Sequence, residues 1–164
     1  RISFVLCDGL SGVEPSKVDN IVVAGMGGDT ITGILDRDYW CAAPGYRLIL
    51  QPMSHQNVLR YWLINNEFCI TEERLVREAG AVYQVFTAEY GKSPRYTDAE
   101  LFTGSFGQIC RAPLFGEYLD GLISKFSSAV AGMEAGKSAG SGRTGLYRGV
   151  LTGLEEMKAR LLND

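Results

Sequence analysis

Blocks of apolar residues along residues 1–90 change repeatedly between strand-like runs and helical spacing. Residues 21–24, Ile-Val-Val-Ala, are rich in β-branched side chains and too few for a typical helix, so they predict a buried strand. Helical spacing begins at Thr30 and ends before residue 43. The next predicted strand covers residues 47–52 and is stopped by Pro52, because proline has no N–H for a strand ladder.

The same alternation continues on both sides of this segment. Ser54 is expected to cap a helix that ends at residues 65–66. Residues 68–77 and 81–90 predict two strands joined as an antiparallel hairpin, and residues 1–7 predict a strand at the start of the chain. The pattern therefore predicts an α/β fold whose parallel sheet ends in an antiparallel edge hairpin.

The pattern becomes helical after residue 91. Residues 92–113 show little periodicity and predict a connector, whereas residues 114–133 and a segment from about residue 144 show apolar spacings of three and four. The expected seam residues are Phe115, Leu119, Leu122, Phe126, Ala129 and Met133 on the first helix and Leu146, Val150, Leu154, Met157 and Leu161 on the second. With a loop rich in Gly, Ala and Ser over residues 134–142, the two predict an antiparallel helical hairpin. We therefore expect a sheet domain over residues 1–91, a connector over 92–113 and a coiled-coil-like hairpin over 114–164.

Candidate chemistry lies where the predicted strands end. Gly25, Met26, Gly27 and Gly28 separate the strand at residues 21–24 from a helix. Open α/β sheets bind ligands at such junctions, where glycine lets the backbone approach a ligand and free helix N–H groups can hold it. The turn matches neither the dinucleotide motif G-x-G-x-x-G nor a P-loop. The pattern alone fits a ligand site and a merely tight turn equally well.

Two further residues are expected at the same edge of the sheet. Asp8 and Gln51 each end a predicted strand there, so three strand ends would converge beside the glycine turn. His55 could act as a general base because imidazole titrates near neutrality. Its place beside Ser54 at a helix start favours a capping or surface role.

Composition narrows the choice of partners. The net charge of −3 over 164 residues argues against nucleic-acid binding by bulk charge, although a local patch stays open. The four cysteines have no C-x-x-C spacing and there is one histidine, which is a poor metal set and predicts reduced thiols in a cytoplasmic protein. No apolar run approaches the length of a membrane span, so no membrane partner is expected.

Four motifs in this order resemble one family. They are Asp-Gly-Leu at residues 8–10, Asp-Asn-Ile-Val-Val-Ala-Gly-Met-Gly-Gly at 19–28, Leu-Ile-Leu-Gln-Pro at 48–52 and Leu-Arg-Tyr-Trp-Leu at 59–63. The set is similar to the TrmK-type bacterial tRNA (adenine-N1)-methyltransferases, and the helical hairpin resembles that family's C-terminal coiled-coil region in layout. The resemblance implies a Rossmann-like fold, S-adenosylmethionine as cofactor and an adenine in the D-arm region of tRNA as substrate.

The resemblance also assigns residues to the cofactor. Asp8, Gly9 and Leu10 would face the adenine of S-adenosylmethionine, and residues 25–28 would line the pocket where the cofactor meets the target base. The methyl transfer itself needs little from side chains, because adenine N1 is the nucleophile. The protein would mainly orient and desolvate the reactants.

Substrate contacts follow from the same resemblance. Gln51 and Pro52 would border the target base, although many family members carry Asn where this chain has Met53. The hairpin would contact tRNA, with Arg143 and Arg148 near its loop as the best candidates. Residues 114–164 carry six basic and six acidic residues, a balance that does not by itself indicate RNA binding.

The resemblance further implies that part of the family's domain is missing here. In the family, two strands and an acidic cofactor loop precede the Asp-Gly-Leu segment, and the strand order is 3-2-1-4-5-7-6. Residues 2–7 would then be the third strand, separated from residues 20–24 by two absent strands. We therefore expect this chain alone to be inactive, and expect its exposed strand edges or its helical hairpin to form a homodimer.

Two other functions stay open at this point. A non-enzymatic interaction module derived from a methyltransferase would bind no S-adenosylmethionine. A methyltransferase acting on a small molecule would fit the acidic charge, and any binding to tRNA would then depend weakly on salt.

Overall fold

The computed structural model describes residues 2–136 and 142–163. The chain groups into two compact units: Arg1–Val76 with Tyr83–Pro94, and Arg77–Val82 with Arg95–Asp164. Each unit has its own set of buried apolar side chains. In the described ranges, no helix is both long and apolar enough to cross a bilayer.

The first unit is built on a four-stranded mixed sheet. Its elements are β1 (Asn20–Gly27), α1 (Gly28–Arg37), β2 (Arg47–Ser54), α2 (Gln56–Asn65), β3 (Phe68–Glu78) and β4 (Ala81–Tyr90), of which residues 77–82 group with the second unit. The strand order is β1-β2-β4-β3, with β1 parallel to β2 and β2 antiparallel to β4. This order equals the last four positions of 3-2-1-4-5-7-6, and it confirms the predicted α/β class with an antiparallel edge hairpin.

One face of this sheet is buried against helices. Along β1, Ile21 and Val23 are buried while Val22 is 66% exposed, which is the alternation of a strand covered on one side. Helix α1 buries Ile31 and Leu35, four residues apart on one of its faces. Removing such side chains from water stabilises the fold by about 1.5–3 kcal/mol each.

The described residues of the second unit form four helices, α3 (Asp98–Thr103), α4 (Phe106–Ile109), α5 (Phe115–Ala135) and α6 (Gly142–Asn163). Helices α5 and α6 run antiparallel, because Glu134 pairs with Arg148 and, further along, Asp120 pairs with Lys158. The helical hairpin is therefore where it was predicted, and residues 137–141 of its predicted loop lie outside the described residues. Helices α3 and α4 fall within the segment predicted as a connector, and the division into domains stays a prediction.

The seam of the hairpin differs in detail from the prediction. The buried residues are Phe115, Leu119, Phe126 and Val130 on α5 and Thr144, Val150, Leu154 and Met157 on α6. Leu146 was expected in this seam but is 53% exposed, so the prediction for it was wrong. Thr144 is buried instead. It lies two residues earlier, which is about half a helical turn, so Leu146 is on the opposite side of α6.

Three local predictions in the first unit were also wrong. Residues 2–7 form no strand: the large apolar side chains of Ile2, Phe4 and Leu6 are exposed, and no described strand pairs with them. Pro52 does not end β2, which continues to Ser54 through an irregular register. The residue that precedes α2 as its N-cap is His55 rather than Ser54.

Candidate functional site

The parallel strands β1 and β2 are irregular at their carboxyl ends. Ala24 is opposite Gln51 and Met26 is opposite Pro52, so Gly25 is an additional residue in β1. This is a β-bulge, and Gly25 adopts a positive φ of 76° that glycine accepts without strain. Its backbone N–H donates to Oε1 of Gln51 at 2.9 Å. The Gln51 side chain thus supplies the acceptor for an N–H that the bulge removes from regular pairing.

The starts of α1 and α2 touch directly beside this bulge. Gly28 begins α1, and a Cβ placed on it would lie 2.2 Å from the carbonyl oxygen of His55. That oxygen accepts hydrogen bonds from the N–H groups of Val58 and Leu59 at the start of α2. His55 itself has a positive φ of 53°. Only glycine fits at position 28, because any side chain would push the two helix starts apart.

Two ionisable side chains are joined at the same edge. Nδ1 of His55 bonds to Oδ2 of Asp29, which lies in the first turn of α1. The two side chains are 62% and 60% exposed. His55 therefore makes no side-chain cap for α2, and sequence reasoning did not single out Asp29. The signal was present, because Asp29 directly follows the glycine turn.

The charge of Asp29 restricts what the turn can hold. A helix N-terminus favours anions, and no side chain caps α1 at Gly27. The Asp29 carboxylate already supplies a negative charge there, so a second anion such as phosphate would be repelled. The edge is therefore better suited to a neutral or cationic ligand.

The structure does not bring Asp8, Gly9 and Leu10 to this edge. Nη1 of Arg37 donates to Oδ2 of Asp8 at 2.7 Å, and the N–H of Leu10 donates to Oδ2 of Asp38 at 3.0 Å. Arg37 is the last residue of α1, and a ten-residue helix separates its ends by about 15 Å. The expectation that Asp8 ends a strand beside the glycine turn was wrong, because residues 2–7 have no partner strand in the described chain.

The two arginines expected to meet tRNA lie on α6 in the second unit. The guanidinium of Arg143 is 5.5 Å from the centroid of the Tyr147 ring. Arg148 donates from Nη2 to Oε1 of Glu134 at 2.5 Å, which offsets part of its charge. No carboxylate in the described ranges pairs with Arg143, so Arg143 is the more available cation of the two.

Metal binding finds no support in the part of the chain that the structure describes. Residues 2–136 and 142–163 contain no group of three or more His, Cys, Asp or Glu side chains that could hold a metal ion. The four cysteines are free, and burial raises the pKa of the Cys41 thiol to about 11. Cys41 is therefore a protonated, unreactive thiol at neutral pH.

A mixed sheet with helices packed on it and a glycine bulge at the carboxyl edge of its parallel strands is typical of a Rossmann-like α/β protein. Residues 1–141 match the family TrmK: tRNA (adenine(22)-N(1))-methyltransferase. The chain belongs to this family.

A curated relative agrees with this assignment. The tRNA (adenine(22)-N(1))-methyltransferase of Bacillus subtilis (strain 168) is 37% identical over 84 residues, which are 51% of this chain and 35% of that protein. The chain thus matches about a third of the length of this curated relative.

Solved structures extend the likeness to both units. Sp1610 of Streptococcus pneumoniae, a candidate tRNA (m1A22) methyltransferase, superposes with a TM-score of 0.77 at 26% identity, covering 93% of this chain and 68% of that one. The same protein in complex with S-adenosyl-L-methionine gives a TM-score of 0.75 at 25% identity, with coverage of 94% and 67%. An NADB-Rossmann superfamily protein from Streptococcus agalactiae gives 0.78 at 25% identity, with coverage of 94% and 66%.

Proposed function

We propose that this protein transfers a methyl group from S-adenosylmethionine to N1 of an adenine in tRNA, in the cytoplasm. The reaction site is the carboxyl edge of β1 and β2. Family membership supports the reaction, and the S-adenosyl-L-methionine complex of Sp1610 supports the cofactor. The observation that carries the site is the Gly25 bulge, whose N–H is held by Gln51 while Gly28 contacts His55.

The residues at this edge fit the proposed cofactor. A Cβ on Gly25 would meet nothing within 4 Å, so the bulge leaves open space for a ligand. The Asp29 carboxylate suits a positively charged sulfonium and disfavours a phosphate. When bound, S-adenosylmethionine supplies an electrophilic methyl group. Residues 25–28 would line its pocket.

The proposed contact of Asp8, Gly9 and Leu10 with the cofactor's adenine needs a rearrangement. These residues are held at the far end of α1 by Arg37 and Asp38. They reach residues 25–28 only if the ion pair between Asp8 and Arg37 opens and the Leu10 N–H leaves the buried carboxylate of Asp38. That ion pair is exposed, and such pairs contribute at most about 1 kcal/mol.

The reaction requires the protein to orient the reactants, and it does not require a proton transfer. The lone pair of adenine N1 forms the new bond to the methyl carbon, the bond from that carbon to sulfur breaks, and its electron pair stays on sulfur. The positive charge passes to the base, and no proton has to move. The protein therefore has to hold the base in line and exclude water. The target adenine must first leave its stack, because N1 lies in the pairing edge.

Other parts of the chain have proposed roles in binding the substrate. Gln51 would act indirectly, by holding the Gly25 bulge in place through its hydrogen bond. The buried Pro52 would pack beside the target base. Arg143 and Arg148 would contact the tRNA backbone from the helical hairpin. A homodimer through the free edge of β1 or through the hairpin stays part of the proposal, and light scattering on the eluting protein measures it.

The test uses the complete product of the gene. Calorimetry measures binding of S-adenosylmethionine, and transfer of a labelled methyl group is measured on a tRNA transcript with adenine or guanine at the target position. We expect cofactor binding and methyl transfer only to the adenine transcript. Binding without transfer to any tRNA would contradict the tRNA substrate, and the absence of both would contradict the methyltransferase function.

A further inference from the structure

His55 is the single histidine in the chain, and it lies at the proposed reaction edge. It follows β2 directly, its carbonyl oxygen touches Gly28, and its ring bonds to Asp29. The ring is thus held between the starts of α1 and α2, while the side chain stays 62% exposed.

The contact with Asp29 determines which ring nitrogen can serve a ligand. A carboxylate only accepts hydrogen bonds, so Nδ1 of His55 carries the proton that it donates to Asp29. In the neutral ring, Nε2 then has a lone pair and is a hydrogen-bond acceptor. No residue in the described ranges bonds to this nitrogen.

We propose that Nε2 of His55, oriented by Asp29, accepts a hydrogen bond from the exocyclic amine of the target adenine. The inference rests on the proposed function and assigns the contact that recognises the base. Guanine and hypoxanthine carry a carbonyl oxygen in place of this amine, and two facing acceptors repel each other. The contact therefore selects adenine as well as orienting it.

The same contact favours the reaction. As N1 acquires the methyl group, positive charge spreads onto the exocyclic amine and makes its N–H groups better donors. A hydrogen bond to His55 is then stronger in the transition state than in the bound substrate, which is what accelerates a reaction. The nearby Asp29 carboxylate stabilises the same developing charge.

The first experiment observes the contact without requiring catalysis. In the ¹⁵N spectrum of the histidine-labelled protein, the ring resonances of His55 are the pair that disappears in the His55→Ala variant. We expect adenosine 5′-monophosphate at saturating concentration to shift the Nε2 resonance, and purine riboside 5′-monophosphate, which lacks the amine, to shift it far less. An unmoved resonance, or equal shifts with both nucleotides, would overturn the proposal.

The second experiment measures single-turnover methyl transfer to tRNA with adenine or purine at the target position. Removing one partner of a hydrogen bond to a charged group costs about tenfold in rate, so His55→Ala should lose about tenfold on adenine and little on purine. Asp29→Asn should lose activity in the same selective way. Asp36→Asn, at the other end of α1, is the matched control and should match the wild type.

The outcomes separate the two proposals. If His55→Ala slows transfer to adenine and purine equally, His55 does not contact the amine, although the methyltransferase function stands. If the wild-type protein transfers no methyl group to tRNA, the proposed function fails. The nucleotide spectra then still decide whether His55 recognises adenine.

Discussion

The segments at residues 25–28 and 8–10 carry the two glycine motifs assigned to the cofactor, yet the structure holds them in opposite ways. The first is fixed by backbone packing, since Gly28 leaves no room for a Cβ beside His55. The second is fixed by side chains, namely the exposed ion pair from Arg37 to Asp8 and the bond from the Leu10 N–H to the buried Asp38 carboxylate. A motif whose position is set by backbone packing stays in place, whereas one held by side-chain contacts can move when those contacts open.

The largest expected loss of stability comes from a substitution in residues 25–28. Gly28→Ala places a methyl group 2.2 Å from the carbonyl oxygen of His55, so α1 and α2 must move apart. Overpacking of this kind lowers the free energy of unfolding by about 3 kcal/mol, and cofactor binding should be lost with it. Denaturant unfolding and calorimetric titration measure the two effects.

The matched control for this change lies on the same helix. A Cβ on Gly33 would meet nothing within 4 Å, so Gly33→Ala should raise the free energy of unfolding by about 0.5–1 kcal/mol through its better helix propensity. Cofactor affinity should stay at the wild-type value. Equal destabilisation by both substitutions would show that the contact with His55 is not what requires glycine at position 28.

Side-chain patterning predicted most of the fold because it reports which face of an element is buried. Strand β4 was predicted at Ala81–Tyr90, where it lies, but the turn predicted over residues 25–28 was wrong, because β1 continues to Gly27 and α1 begins at Gly28. The same patterning failed for residues 2–7, since β-branched and aromatic residues favour a strand but form one only when a neighbouring strand pairs with them.

Side-chain patterning could not predict features that depend on contacts between residues distant in the sequence. Arg60 is fully buried, where it donates to Glu73 at 2.9 Å and to Gln84 at 3.1 Å, and its guanidinium is 4.3 Å from the Phe86 ring centroid. A single arginine in an apolar helix gives no sign of this network. The bulge at Gly25 and the bond from His55 to Asp29 also arise only when β1 and β2 are paired.

A smaller effect is expected from the acceptor that holds the bulge. Gln51→Leu removes the oxygen that accepts the Gly25 N–H, so the free energy of unfolding should fall by about 1 kcal/mol. Hydrogen exchange at the Gly25 amide should become faster. Gln51→Glu keeps an acceptor oxygen at the same place and serves as the control. Equally fast exchange in both variants would show that the side-chain oxygen does not hold the turn.

A change in stability no larger than that of Gln51→Leu is expected from a substitution that tests whether residues 8–10 can move. Arg37→Leu removes the exposed ion pair to Asp8 and the 3.3 Å contact of Arg37 with the buried Asp38 carboxylate, so the free energy of unfolding should fall by about 1 kcal/mol. If residues 8–10 must leave Arg37 to reach the cofactor, the substitution raises the fraction of protein molecules that can bind it. The affinity for S-adenosylmethionine should then increase, by about fivefold at most.

Arg47→Leu is the control for this last change. It removes a comparable exposed ion pair, to Glu89 at 2.8 Å, between β2 and β4 and away from residues 8–10. Calorimetric titration of both variants therefore separates a local release from a general loss of surface charge. Tighter binding in Arg37→Leu alone supports a segment that moves to the cofactor. Equal affinities in both variants would contradict a release of Asp8, Gly9 and Leu10 toward the cofactor.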